Sequence, residues 1–447
     1  MDALSMIPQF GGLIWTLLAF VVALSIIVAV HEYGHYIVGR WSGIHAEVFS
    51  LGFGPVIWSR VDRRGTVWQV AALPLGGYVR FRGDANASGG VDGDGMQGLT
   101  QAQLRTTMHG APLWARTATV AAGPVFNFIL SILVFTALFL SQGQIKEPLE
   151  VGSLRALPMT QDLAPGDVLI KINGQPVPAF DAPEAFSGFL ADLPMADRLE
   201  YTVLRKGRSL TVAGPYPYPP LAEQVVPRSA AWDAGLRPGD VITAIHGAPI
   251  WGFDALKTAV ENGQGAELRL GIWRDGRTFD VALSPRRTDE PRPDGTFETV
   301  WRVGIAGGLF FEPATASPGP VGAVTGAVLQ TGRIIESSLS GLYHMITGAI
   351  STCNMSGPIG IAETSGAMAQ SGLADFIWFI AVLSTAVGLM NLFPVPVLDG
   401  GHLVFYAYEA VVGRAPSDRA LQVLMSVGLA LILGLMAFAL MNDLLCP

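Results

Sequence analysis

His31-Glu32-Tyr33-Gly34-His35 stands at the end of Gly11 to Val30, a run with no charged residue and long enough to cross a bilayer as a helix. On such a helix His31 and His35 fall one turn apart on one face, so two imidazoles can share one zinc ion. Glu32 is then placed to act as general base on a water beside them. Ionisable side chains at membrane depth are expensive and usually functional. The combination predicts peptide-bond hydrolysis within the membrane.

The rest of the composition agrees with a membrane setting. Half of the 447 residues are apolar and 14% are charged, too lean in charge for an ordinary soluble protein. Spanning helices are expected over Gly11–Val30, Thr117–Gly143, Phe376–Leu398 and Ala420–Asn442. Asp2 and the lack of Lys or Arg before the first span do not make the basic start of a cleavable signal peptide, so the span is expected to stay. Arg40, Arg60, Arg63, Arg64, Arg80, Arg82, Arg105 and Arg116 crowd the first loop, and Arg414 and Arg419 the last. The positive-inside rule then puts these loops in the cytoplasm and both termini outside, with the long 144–372 segment extracytoplasmic. Two cysteines, Cys353 and Cys446, exclude a Cys-type zinc site, and no disulfide between them is expected. A net charge of −8 without a basic patch speaks against nucleic acid.

The external segment repeats itself. Ala164-Pro165-Gly166-Asp167-Val168-Leu169, with Ile172-Asn173-Gly174-Gln175-Pro176-Val177 and Phe180-Asp181-Ala182, recurs as Arg237-Pro238-Gly239-Asp240-Val241-Ile242, Ile245-His246-Gly247-Ala248-Pro249-Ile250 and Phe253-Asp254-Ala255. Arg205-Lys206-Gly207-Arg208 likewise matches Arg274-Asp275-Gly276-Arg277, each at a hairpin. The unit resembles the PDZ domains of bacterial envelope proteases, which hold extended or C-terminal peptide by adding a strand beside a groove. A spacer or steric filter is the other reading of the same fold.

A catalytic zinc needs a third protein ligand. His45, His109, His246 and His344 fall in soluble or interfacial segments, which leaves Asp399 and His402 near the end of the third span. Asp399 closes Asn391-Leu392-Phe393-Pro394-Val395-Pro396-Val397-Leu398-Asp399-Gly400-Gly401-His402. HExxH ending a first span, with Leu-Asp-Gly late in a third, resembles the bacterial site-2 protease family of intramembrane metalloproteases. Further matches are Ala122-Gly123-Pro124-Val125-Phe126-Asn127-Phe128, Leu73-Pro74-Leu75-Gly76-Gly77-Tyr78-Val79 and Ser356-Gly357-Pro358-Ile359-Gly360. The resemblance implies one zinc ion held by His31, His35 and Asp399, with Glu32 as the base. It also implies single-pass membrane substrates of the anti-sigma-factor kind, cut after another protease has trimmed them, and leaves room for leftover signal peptides. His402, one turn on, is expected to face a polar partner rather than the metal. An inactive PDZ-bearing membrane scaffold is the alternative function.

Pro394 and Pro396 deny the third span a regular helix and leave carbonyls open, which a bilayer tolerates only beside a cavity or another chain. Asn391 is expected either to donate to a substrate carbonyl or oxyanion, or to cap the broken helix. Val67–Ala72 and Gly77–Phe81 read as strands around Leu73–Gly77. In the family resembled, such a hairpin dips towards the membrane, and Gly76 and Gly77 belong to the edge offered to unwound substrate. Gly83–Gly98 could pass for a calcium loop, but Gln103 stands where the bidentate Glu would be, so a plain loop is expected. Val321, Val324, Val328, Ile335, Leu339, Leu342 and Ile346 suggest an amphipathic helix on the outer membrane face.

The expected architecture is thus a polytopic α-helical membrane protein with four transmembrane helices, a cytoplasmic-side β-hairpin and two tandem extracytoplasmic PDZ domains. Its expected parts are 1–40 with HExxH, the loop 41–111 and the second span 112–143. PDZ copies follow over 144–221 and 222–290, then a linker with the amphipathic helix over 291–372. The third span is placed at 373–412 and the fourth with the C-terminus at 413–447.

Overall fold

The computed structural model describes residues 7–85, 95–180, 183–291 and 297–445. Asp2, most of the Gly83–Gly98 loop, Asp181-Ala182 of the first repeat and Cys446 lie outside them. The chain divides into two units, one of residues 1–138, 320–342 and 355–446, the other chiefly 139–319 with 343–354.

In the first unit, four helices are long and apolar enough to cross a membrane: Gly12–Trp41, Leu113–Gln142, Leu373–Asn391 and Arg419–Leu445. Their large apolar side chains stay exposed, as at Ile14, Leu17, Leu133 and Leu431, which suits a lipid-facing surface. Inward, close approach replaces the hydrophobic effect, and small residues and hydroxyls make the contacts. Ser131 Oγ donates to Ala381 O at 2.8 Å, and Ser384 Oγ to Asn127 O at 2.9 Å. A Cβ at Gly34 would lie 2.6 Å from Ala122 O, so the first two spans cross where no side chain fits.

The third expected span differs in one respect. Its helix stops at Asn391, and a new helix starts at Asp399 and runs to Val412. Between them the chain turns on itself, with Val397 at φ 94°, a strained conformation for a β-branched residue. Gly400 and Gly401 make that turn possible. A Cβ on Gly400 would meet the carbonyl oxygens of Leu392 and Phe393 at 2.3 Å, and one on Gly401 that of Val395 at 2.4 Å. Asp443, near the end of the last span, receives the N–H groups of Gly357, Ile359 and Gly360 at 2.9–3.2 Å and so caps the helix Pro358–Ser371.

The first loop forms one sheet from two long strands, Ala46–Val61 and Val67–Phe81. Leu73–Gly77, with strands expected on either side of it, lies within the single second strand. Each strand bends, and the halves pair separately: Val56–Val61 lies against Val67–Ala71, and Phe49–Leu51 against both Gly77–Val79 and Trp68–Val70. Gly52 and Gly54, at φ 89° and 84°, supply the first bend. The resulting order places Gly77–Phe81 at one edge. Asp62 ties the hairpin end to the His-bearing helix by accepting from Trp68 Nε1 at 3.2 Å and Tyr36 Oη at 3.4 Å. The expected amphipathic helix spans Gly319–Ile346, burying Ala323, Ala327 and Thr331 while Val321, Val324, Val328 and Ile346 stay exposed.

The second unit holds two four-stranded sheets of the same order. One is Gln175–Pro176, Val168–Ile172, Leu199–Arg205 and Arg208–Gly214; the other is Ala248–Pro249, Val241–Ile245, Leu268–Arg274 and Arg277–Leu283. Helices Pro183–Asp192 and Phe253–Asn262 cover separate cores around Tyr201 and Phe310 and around Leu256 and Leu270. The repeat fixes both folds by one device. Fully buried Asp167 takes Arg205 Nε and a terminal nitrogen at 2.6 and 2.7 Å and Ala164 N–H at 2.9 Å. Fully buried Asp240 takes Arg274 at the same two distances and Arg237 N–H at 2.8 Å. Two short late strands close the unit: Phe311–Pro313 pairs with Val151–Leu154, and Thr315–Ala316 with Gln144–Ile145. Cys353 is disulfide-bonded, contrary to the expectation from the cysteine count.

Candidate metal centre and active site

His31 and His35 share one helical face, and their Nε2 atoms lie 3.2 Å apart. Asp399, the first residue of its helix, brings Oδ2 to 3.2 Å from His31 Nε2 and 3.5 Å from His35 Nε2. Among the described residues this is the one cluster of three such side chains whose ligand atoms converge on a point. Ligands about 2 Å from a tetrahedral zinc are separated by roughly 3.3 Å, so the spacing fits the ion. Asp399 Oδ2 is buried and has no hydrogen-bond partner among the described residues, as fits a metal ligand.

The second spanning helix, Leu113–Gln142, orients the imidazoles. His35 Nδ1 lies 2.9 Å from Thr119 O and donates to it, which leaves Nε2 as the free lone pair. His31 Nδ1 faces the Asn127 amide at 3.2 Å, while Asn127 Oδ1 is buried without a partner among the described residues. Turning the amide over satisfies both atoms and frees His31 Nε2 in the same way. Between these two contacts comes Gly123, where a Cβ would lie 2.4 Å from His35 Nε2.

A cavity of about 300 Å³ opens on this cluster. Its walls include Glu32, Gly77, Tyr78, Val79, Asn391 and His402. Glu32 thus faces both the imidazoles and the edge strand. A Cβ on Gly77 would be 3.2 Å from Glu32 Cγ, so the strand comes as near as backbone can. Asn391 lines the cavity but also donates Nδ2 to Val387 O at 3.1 Å, within its own helix. Gly76 lies instead against the Phe53 ring, and Pro396 packs on Gly401 and Gly428. Pro394 stands in the bend between the two helices.

A family model of peptidase family M50 matches residues 19–435, a stretch that includes every residue of this cluster. The chain belongs to peptidase family M50. A candidate zinc metalloprotease of Rhizobium meliloti is 36% identical over 434 residues, covering 96% of each chain. Another, of Agrobacterium fabrum, is 34% identical over 97% of this chain and 96% of its own. The regulator of sigma-E protease RseP of Escherichia coli is 33% identical over 460 residues, 96% of this chain and 98% of that protein. This M50 protein is therefore a metalloprotease of the membrane, as its motifs led one to expect. Two contacts of the His31 and His35 rings escaped the motifs. Asn127 was visible only as part of Ala122–Phe128, and Thr119 acts through a backbone carbonyl that no residue type announces.

Proposed function

We propose that this M50 peptidase is a zinc-dependent intramembrane endopeptidase that makes the second cut in regulated intramembrane proteolysis. The observation that carries the reading is the convergence of His31 Nε2, His35 Nε2 and Asp399 Oδ2, beside Glu32, at the foot of an apolar spanning helix. A zinc ion bound there would supply Lewis acidity towards a water and towards the scissile carbonyl. Glu32 takes the proton from the attacking water and returns it to the leaving amine. A helical substrate hides its carbonyls, so it must be extended first. The edge Gly77–Phe81 can hold it as an added strand, with Gly76 shaping the bend. Asn391 donates to the substrate carbonyl, while Pro394 and Pro396 keep the third span open beside it.

The two repeated modules act as PDZ domains on the extracytoplasmic side of a bacterial inner membrane. Cys353 supports that side, because disulfides persist in oxidising compartments. They admit single-pass substrates already trimmed outside, of the anti-sigma-factor kind given RseP as a relative, and leftover signal peptides. Glu32→Gln tests the proposal. It should keep its zinc yet lose cleavage on the order of 10²-fold or more, and single-pass fragments should accumulate in its membranes. Zinc retained with normal turnover would refute the assignment.

A further inference from the structure

The cavity that holds the His31, His35 and Asp399 cluster has a second carboxylate–imidazole pair on its wall. Asp84 follows the edge strand, and its side chain is 4% exposed. Asp84 Oδ2 accepts the Phe81 N–H at 2.9 Å, which fixes the carboxylate. Oδ1 lies 3.2 Å from His109 Nε2, yet neither atom has a hydrogen-bond partner among the described residues. Asp399 Oδ2 and His31 Nε2 show the same pattern: 3.2 Å apart, with the carboxylate oxygen buried and unpartnered. The backbone holds His109 in place, since Met108 N–H donates to Arg82 O at 2.8 Å and Gly110 N–H to Thr107 Oγ1 at 2.9 Å.

We propose that Asp84 and His109 hold a second, weaker divalent cation of the zinc class in the same cavity. One carboxylate oxygen and one imidazole nitrogen suit zinc, and two protein ligands leave its other positions to water. Such a site binds less tightly than the three-ligand cluster and fills after it. His402 lines the same wall as a third imidazole, with no other role assigned to it. The His109 side chain is 26% exposed, which gives the ion a way in. Filled, the site obstructs the cavity that substrate must enter, so excess zinc inhibits.

The proposal deepens the zinc reading, and zinc titration of the purified full-length chain after chelation separates the two. The wild type should take up two equivalents, one tight and one weak. His109→Ala and Asp84→Asn should each keep the tight equivalent and lose the weak one, along with inhibition by excess zinc. Asn retains an oxygen for the Phe81 N–H, so that variant leaves the strand end capped. Cobalt(II) in place of zinc gives a second readout, the absorption of the second equivalent, which both variants should lack. A single equivalent in the wild type, or a weak equivalent that persists in both variants, would overturn the proposal. His35→Ala should keep only the weak equivalent; if it keeps the tight one, the three-ligand reading fails instead.

Discussion

Asn127 is fully buried, and its amide lies 3.2 Å from Nδ1 at the back of His31. A partner of that kind sets the ring's tautomer and angle, and removing it typically weakens metal binding by about 10–100-fold. Asn127→Leu keeps the branched shape of the side chain and removes the hydrogen bond. Zinc affinity in that variant, measured against a competing chelator, should fall within that range while the membrane helices stay folded. An unchanged affinity would show that helix packing alone orients His31. The proposed ligands were legible in the sequence because helix pitch puts His31 and His35 on one face and Leu-Asp-Gly supplies a carboxylate late in the third span. Their supports were not, because Thr119 contributes a carbonyl that every residue owns.

Between residues and the whole, the bend after Asn391 decides where Asp399 arrives. The prolines read from the sequence break the helix, but the glycines seat the next one. Gly401→Ala would drive a methyl against the Val395 carbonyl oxygen, a backbone atom that cannot rotate away. The start of the Asp399 helix must then shift, and zinc occupancy should drop along with cleavage. Full occupancy in Gly401→Ala would mean that the turn has slack.

The Asp167–Arg205 pair makes a prediction about acid. Burial alone would raise the Asp167 carboxyl, but hydrogen bonds from Arg205 and the Ala164 N–H outweigh it and hold the group below its ordinary value. A carboxyl lowered by folding contributes stability that is complete above its unfolded value, about 4, and is lost as pH falls through the folded one. Hydrogen exchange across Val168–Ile172 and Leu199–Arg205 should therefore lose protection below about pH 4. Asp167→Asn should be less stable at neutral pH and lack that acid step. The repeat held both members, in Pro-Gly-Asp and at the hairpin Arg, but did not say that they pair. The bent sheet was harder to read: Val67–Ala72 and Gly77–Phe81 were visible as strands, but not that both lie beside the same Phe49–Leu51.

At the scale of the molecule, the proposed filter and the proposed chemistry belong to different units. Removing residues 145–315 and joining the ends with a flexible linker should leave zinc binding and cleavage of a trimmed substrate intact. An untrimmed substrate should then be cut as well, because nothing outside would turn away its bulk. If the zinc-loaded deletion variant still cuts only trimmed substrate, selection resides in the membrane unit. The late strands were the least legible part of this architecture. Phe311–Pro313 and Thr315–Ala316 are too short to carry a pattern, and their partners lie more than a hundred residues earlier.

That last pairing, Thr315–Ala316 beside Gln144–Ile145, has a consequence for descent. It brings the segment's entry and exit together, as in a bulb screwed into a socket. A stretch with neighbouring ends can be lengthened, duplicated or exchanged by recombination without respacing the helices on either side. The tandem repeat within it is what one such duplication would leave behind. Under the proposed function, such an exchange could refit what the protein admits and leave untouched the residues that would cut it.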